Sequence, residues 1–276
     1  MKSRILVAVV GVPVLFAALE LCPPWAALIL VCAMTAVAAY EMIHTACQAV
    51  PLSAYVLTIL AAVLQCLARF LDVTAFGAVS ALTVVRWAFL MLLFLTAVLT
   101  HGREGALSFR DLAVCALAGV ALPALYGCIF LLRQDPAFGK CYVLAPFFVA
   151  FIGDSLSMFA GMIFGGPKMA PRVSPKKTVA GGIGGLIGGA LSLMLLGFIG
   201  SRIWGYEPNY GMLALLGSVA NAVGQLGDLS MSVIKREVGI KDYSRLFFDH
   251  GGMLDRFDST LFIAPLLWLC VCGGLL

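Results

Sequence analysis

The sequence predicts an all-α fold: a polytopic integral membrane protein with about nine transmembrane helices. Three observations predict it. Hydrophobic residues make up 62% of the 276 residues and charged residues only 12%, half of the roughly 25% that solvates an ordinary soluble domain. Mean hydropathy is +1.04. Apolar stretches recur from end to end, each of about the 18 residues or more needed to cross a hydrocarbon core. No polar stretch is long enough to form a separate soluble domain.

Hydropathy places the spans at roughly 4–21, 25–43, 52–71, 76–100, 110–132, 142–166, 178–200, 209–234 and 259–275. The first follows the basic flank Lys2–Arg4, as a signal peptide would. It has no small-x-small cleavage site, and Leu21 before Cys22 is too bulky for a lipoprotein box, so a retained first helix is expected. Pro23 and Pro24 separate the first two spans, and "HGREG" at 101–105 separates the fourth from the fifth. The sixth and eighth spans contain Asp154 and Asp228. Span seven is glycine-rich, with Gly181, Gly185 and Gly189 four apart. On a helix they form a smooth stripe for close packing, within one chain or between two. No strand precedes it, as a phosphate-binding glycine loop would require. No internal repeat is visible. The nine cysteines include no CxxC pair and fall mostly in apolar runs, where a thiol serves as a small apolar side chain.

An odd number of spans puts the two termini on opposite sides. The side of the N-terminus collects Lys2, Arg4, Arg103, Arg110, Lys168, Arg172, Lys176, Lys177, Lys235, Arg236, Lys241, Arg245 and Arg256. The other side has Arg69, Arg133, Lys140 and Arg202. This asymmetry places the N-terminus and the charged loops in the cytoplasm. The basic face would attract anionic lipid or a polyphosphate. A nucleic-acid partner is not expected, because no basic module interleaved with aromatic residues lies outside the membrane.

Candidate chemistry gathers at that face. In span eight, Asn221, Gln225, Asp228, Ser232 and Lys235 fall on one helical face. A carboxylate in a span is costly and normally faces a cavity, a partner or an ion; the plainer alternative is a stripe of hydrogen bonds between packed helices. A cavity is the expectation. Asp255 and Asp258 stand three apart at a helix start, where the helix dipole alone would favour acids. His250, Gly251 and Gly252 precede them, and glycine lets backbone approach a ligand closely. Together with Asp228 the acids make an all-oxygen set suited to magnesium, which uses one or two carboxylates plus substrate phosphates. His250 reads as a donor to phosphate. In "GPKMAPRVSPKKT", Ser174 reads as an N-cap with Pro175 at the first helical position. Lys176, Lys177 and Thr178 then surround a helix N-terminus, a natural phosphate site. Asp154, Ser157 and Gly161 share a face of span six and read as a buried acid on a small polar stripe. Glu41 reads as an interfacial acid. These patches describe a metal–polyphosphate site at a membrane face.

"SVIKREVGIKDYSRLFFDHGGMLDRFDS" resembles the signature of the phosphatidate cytidylyltransferases, also called CDP-diacylglycerol synthases. Ser232, Lys235, Arg236, Lys241, Asp242, Ser244, His250, Gly251, Gly252, Asp255, Arg256 and Asp258 fit it in spacing. "GDLSMS" upstream and "SPKKT" followed by Gly181 fit further parts, as does Asp154. The likeness is close in the C-terminal half; in the N-terminal half it rests on hydropathy and "YEMIH" at 40–44. Phe248, Asp249 and Ala180 depart from the pattern, which usually has Pro or Gly, Gly, and Glu there.

The resemblance implies scaffold and lipid-facing helices over residues 1–140 and a catalytic region over 141–276. It implies an enzyme of phospholipid biosynthesis, a nucleotidyltransferase passing the cytidylyl group of CTP to phosphatidate in the bilayer. The products are CDP-diacylglycerol and pyrophosphate. It further implies magnesium, with a second monovalent or divalent cation as an option, and a homodimer as an open one. Asp228 and Asp255 would be the principal metal ligands, supported by Asp258 and Asp154. Lys235, Arg236 and Arg256 would neutralise phosphates, and Ser174, Lys176, Lys177 and Thr178 would hold the triphosphate or the lipid phosphate. Ser232, Lys241, Asp242, Gly251 and Gly252 complete the expected substrate contacts. Two other readings stay open at this point. An isoprenoid lipid could replace phosphatidate, for a cytidylyltransferase or a kinase. A cation-coupled transporter would use the acids but leave the His-Gly-Gly and the Lys-Arg pair unexplained.

Overall fold

The structure is a computed structural model that describes residues 11–71, 74–76, 79–247 and 251–276. The protein is an all-α polytopic membrane protein. Seven of its described helical segments are long and apolar enough to span a bilayer. Of the nine expected spans, the first is described only as α1 (Val12–Glu20). The last is α11 (Met253–Cys272), which opens with Asp255, Arg256 and Asp258 before its apolar run. The chain forms two compact units, each discontinuous in sequence.

The first unit comprises Met1–Ala18, Cys22–Gly127 and Glu237–Arg256. Its helix α2 (Pro24–Ala46) starts with Pro24 just inside the helix, where a missing N–H costs nothing. Helix α3 (Leu52–Leu71) follows. An antiparallel hairpin of β1 (Thr74–Phe76) and β2 (Val79–Ser80) stands where the fourth span was expected to begin. The helix, α4 (Ala81–Thr100), starts five residues later because the Ser80 hydroxyl caps it, accepting from the Thr83 amide at 3.3 Å. Helix α5 (Phe109–Ala116) is capped by Ser108, which accepts from the Asp111 amide at 3.1 Å and donates to its carboxylate at 2.8 Å. A π turn, Leu117–Ala121, then runs into α6 (Leu122–Arg133) without a break.

The second unit comprises Leu19–Leu21, Cys128–Arg236 and Phe257–Leu276. After the single-turn α7 (Gly139–Tyr142) come α8 (Ala145–Phe164), a hairpin of β3 (Lys168–Ala170) and β4 (Ser174–Thr178), α9 (Val179–Ile203) and α10 (Tyr210–Glu237). "SPKKT" is therefore a strand and not a helix start, and Ser174 is not an N-cap. Its backbone pairs with Lys168–Ala170, with Lys168 opposite Thr178 and Ala170 opposite Ser174. Both strands of a two-stranded hairpin are edge strands, which is where Pro175 can be tolerated. The helix begins at Val179, and Thr178 caps it by accepting from the Gly181 amide at 3.1 Å.

The glycine stripe of α9 packs within this chain. A Cβ on Gly181 or Gly188 would come within 3 Å of the α8 backbone, at Ser157 O and the Gly153 Cα. The other side, through Gly189, meets the Gly217 carbonyl of α10, and a Cβ at either glycine would overlap the other's carbonyl. Two helices pack on α9 this closely only because the positions between them have no side chain. Gly224 and Gly227 of α10 do the same for α11, where a Cβ would strike Ile263 and Phe262.

Candidate active site

The candidate residues fall into two clusters, one in each unit. In the second unit, Lys177 on β4 forms an ion pair with Asp228 on α10, both partly buried. Side chains alternate along a strand, so Lys176 is exposed while Lys177 turns inward. The expected pair of lysines around one helix end is thus divided between two faces. One turn along α10, Ser232 Oγ lies 3.3 Å from Asp228 Oδ1. Lys235, a turn further, is 8% exposed, and so is Asp258. The charges of Asp228, Lys235 and Asp154 all act on Asp258. Its Oδ1 accepts from the Ser259 amide at 2.8 Å. Arg236 lies at the exposed end of α10 and donates from Nε to the Val173 carbonyl at 3.3 Å, tying the helix to the hairpin turn. Asp154 is exposed within its unit, not buried as expected, because α9 packs against the glycine face of α8 and leaves Asp154 and Ser155 outside.

The polar stripe of α10 divides in function along its length. Asn221 is buried and donates toward the Val149 carbonyl at 3.5 Å. Gln225 donates to Asn221 Oδ1 at 2.7 Å and to the Gly182 carbonyl at 3.1 Å. That inner half is a hydrogen-bonded seam between helices, the plainer of the two alternatives. The outer half, Asp228, Ser232 and Lys235, is the charged cluster.

In the first unit two carboxylates hold the start of α11. Glu41, 2% exposed, accepts from Ser244 Oγ at 2.6 Å and from the Met253 amide at 2.9 Å on Oε1. Its Oε2 accepts from the Leu254 amide at 2.9 Å. Asp255 Oδ2 reaches back to the Gly252 amide at 2.9 Å and to the Tyr243 amide at 2.8 Å. The first N–H groups of a helix have no partner inside it, and here the amides of Gly252, Met253 and Leu254 all end on carboxylates. The arrangement has the logic of a capping box, with one of its acids supplied from α2. Gly251 sits at φ +80°, and a Cβ on it would meet Asp255 at 2.7 Å; a Cβ on Gly252 would overlap Glu41. What these glycines admit closely, within the protein, is carboxylate. Lys241, Asp242 and Arg256 are exposed and Ser244 partly so. His250, Phe248 and Asp249 lie outside the described residues.

Glu41 is the residue that sequence reasoning undervalued. Its signal was present: a lone acid in an otherwise apolar helix has to be satisfied. Its partners, more than 200 residues away, had no local mark.

Among the described residues, no three of His, Cys, Asp and Glu gather closely enough to hold a metal by themselves. A magnesium that shares its shell with substrate phosphate needs only one or two protein carboxylates. Asp228 and Asp258 would be the carboxylates of such a shell, and Lys177 already sets a cation against Asp228.

The sequence profile described as the cytidylyltransferase family matches residues 2–272. Several curated proteins named phosphatidate cytidylyltransferase are similar to the chain. That of Aquifex aeolicus is 41% identical over 135 residues, 48% of each chain. That of Staphylococcus haemolyticus is 37% identical over 163 residues, 58% of this chain and 59% of its own. That of Brucella abortus is 43% identical over 143 residues, 50% of each. The chain thus matches about half the length of these curated relatives.

Proposed function

Since the chain belongs to the cytidylyltransferase family, we propose that it transfers the cytidylyl group of CTP to phosphatidate, at the cytoplasmic face of a cell membrane. The observation that carries this reading is the cluster of the second unit. Asp228, Asp258 and Asp154 stand there with Lys177 and Lys235, in a unit whose helices are otherwise largely apolar. Acids and bases concentrated at a membrane edge suit a reaction between two anions, one lipid and one soluble.

An ionised oxygen of the phosphatidate phosphate attacks the α-phosphorus of CTP. A new P–O–P link forms, the bond from the α-phosphorus to the bridging oxygen breaks, and pyrophosphate leaves. No general base is needed, because the attacking oxygen carries no proton that must be removed. The barrier is repulsion between anions and charge building on the leaving group, so catalysis rests on positioning and electrostatics. Lys235 is buried, in a poorly screened place where an ammonium would act strongly on phosphate oxygens. Lys177 spans between Asp228 and incoming phosphate, and Arg236 adds a planar donor at the rim. Asp228 and Asp258 would hold magnesium, with Asp154 nearby; bound there, the ion would supply charge neutralisation for the phosphates. Asp255, whose Oδ2 is taken up by two amides, positions the loop of Lys241–Gly252.

Pyrophosphate release by the purified full chain in mixed micelles tests the reading, with phosphatidate, magnesium and each nucleoside triphosphate in turn. Release should require both phosphatidate and CTP or dCTP, and Asp228→Asn should abolish it. Release with an isoprenoid phosphate in place of phosphatidate would overturn the lipid assignment. Full activity of Asp228→Asn would overturn the assignment of the site.

A further inference from the structure

Away from both clusters, the first unit carries a second group of polar residues inside its helices. It lies at the far end of α3 from Glu41: Arg69 is 17 residues beyond Leu52, about 25 Å along the helix at 1.5 Å per residue. Gln65 is 1% exposed. Its amide donates to the Gly119 carbonyl in the π turn, and its Oε1 accepts from Arg86 Nε of α4 at 3.4 Å. One turn beyond Gln65, the Arg69 side chain runs beneath Gly127, where a Cβ would meet its Cδ at 3.0 Å and its Nε at 3.1 Å. Arg69 Nε is buried and makes no hydrogen bond. Among the described residues no carboxylate pairs with either guanidinium; Asp72 lies outside them. Phe89 packs against Gly119.

Arg69 lies in the last turn of α3 and Arg86 in the second turn of α4, and charged groups within spans mark a partner or a pathway. A guanidinium presents a planar fork of donors matched to phosphate. π turns inside helices occur often at functional sites, and the Gly119 carbonyl within this one accepts from Gln65. We propose that Gln65, Arg69 and Arg86 form a binding site for a phosphate group, that of an anionic phospholipid whose chains lie along α3 and α4. The lipid source follows from position: both arginines sit near the ends of membrane-spanning helices, where lipid headgroups lie, and α4 leaves Trp87, Met91, Phe94 and Leu95 exposed to the surroundings. This site does not depend on the reaction proposed above.

The test uses the full chain in phosphatidylcholine nanodiscs, with phosphatidylglycerol replacing part of the lipid and inorganic phosphate as the soluble arm. Thermal unfolding and native mass spectrometry of retained lipid are the readouts. Phosphatidylglycerol should raise the unfolding midpoint and remain bound; inorganic phosphate should do neither. Arg69→Gln/Arg86→Gln should hold phosphatidylglycerol about tenfold more weakly, as expected for lost charge-assisted hydrogen bonds. If that variant does not fold, Arg69→Lys/Arg86→Lys keeps the charges and loses the forks, and a weakening of a few-fold is expected. Retention unchanged in whichever variant folds, or no response of the parent protein, would overturn the site. A response to inorganic phosphate alone would overturn the lipid.

Discussion

At the scale of residues, the same chemical group does opposite work in the two clusters. Glu41 and Asp255 are acids satisfied by backbone amides, and their energy goes into holding a loop and a helix start. Asp228 pairs with Lys177, and Asp258 lies buried in the field of Asp228 and Lys235, so both belong to a cluster of charges. Glu41→Gln keeps the shape but turns one oxygen into a donor facing donors. We expect it to destabilise the protein by about 2 kcal/mol, in the range for hydrogen bonds to a charged group. Thermal unfolding should show this, with faster amide exchange over residues 241–254. Lys177→Met removes the partner of Asp228 and leaves a carboxylate with less compensation. CTP-dependent pyrophosphate release should fall by about one hundredfold, with the fold intact by circular dichroism.

At the scale of elements, the second unit is organised by glycine. Helix α9 has neighbours on two sides, and its spacing to each is set by positions that hold nothing. Gly189→Ala would push a methyl into the Gly217 carbonyl, and overpacking of this kind costs about 1–3 kcal/mol. Gly211, in the first turn of α10, offers the contrast: a Cβ there meets only Asn209 Oδ1 at 3.6 Å. Gly211→Ala should therefore stabilise the helix by about 0.5–1 kcal/mol, through propensity alone. Parallel thermal unfolding of the two variants, expected to shift in opposite directions, separates packing from propensity. The glycine stripe that could have served a contact between two chains is occupied within one, so it gives no support to a homodimer.

At the scale of the whole molecule, the charge asymmetry makes a prediction about orientation. Cys22, between α1 and α2, and Cys272, at the end of α11, are exposed. The nine-span topology expected from the charge asymmetry puts both on the side opposite the basic loops. A membrane-impermeant maleimide applied to intact cells should label both, and should not label Glu104→Cys until the membrane is opened. The reverse pattern would invert the topology.

By itself the sequence determined the class and most of the helices, because a bilayer demands long apolar runs and tolerates few exceptions. It also marked Asp228, Lys235 and Asp258, since charge within oil is conspicuous. It identified the glycines as places of close approach, but not what approaches. The tertiary structure decided that α8 and α10 fill those places, that Asn221 and Gln225 are spent on a helix seam, and that "SPKKT" is a strand whose two lysines point apart. It also decided that Glu41 caps a helix more than 200 residues away. The reason is physical: hydropathy and spacing record what a residue prefers locally, whereas a hydrogen-bond partner across the fold leaves no periodic trace in the chain.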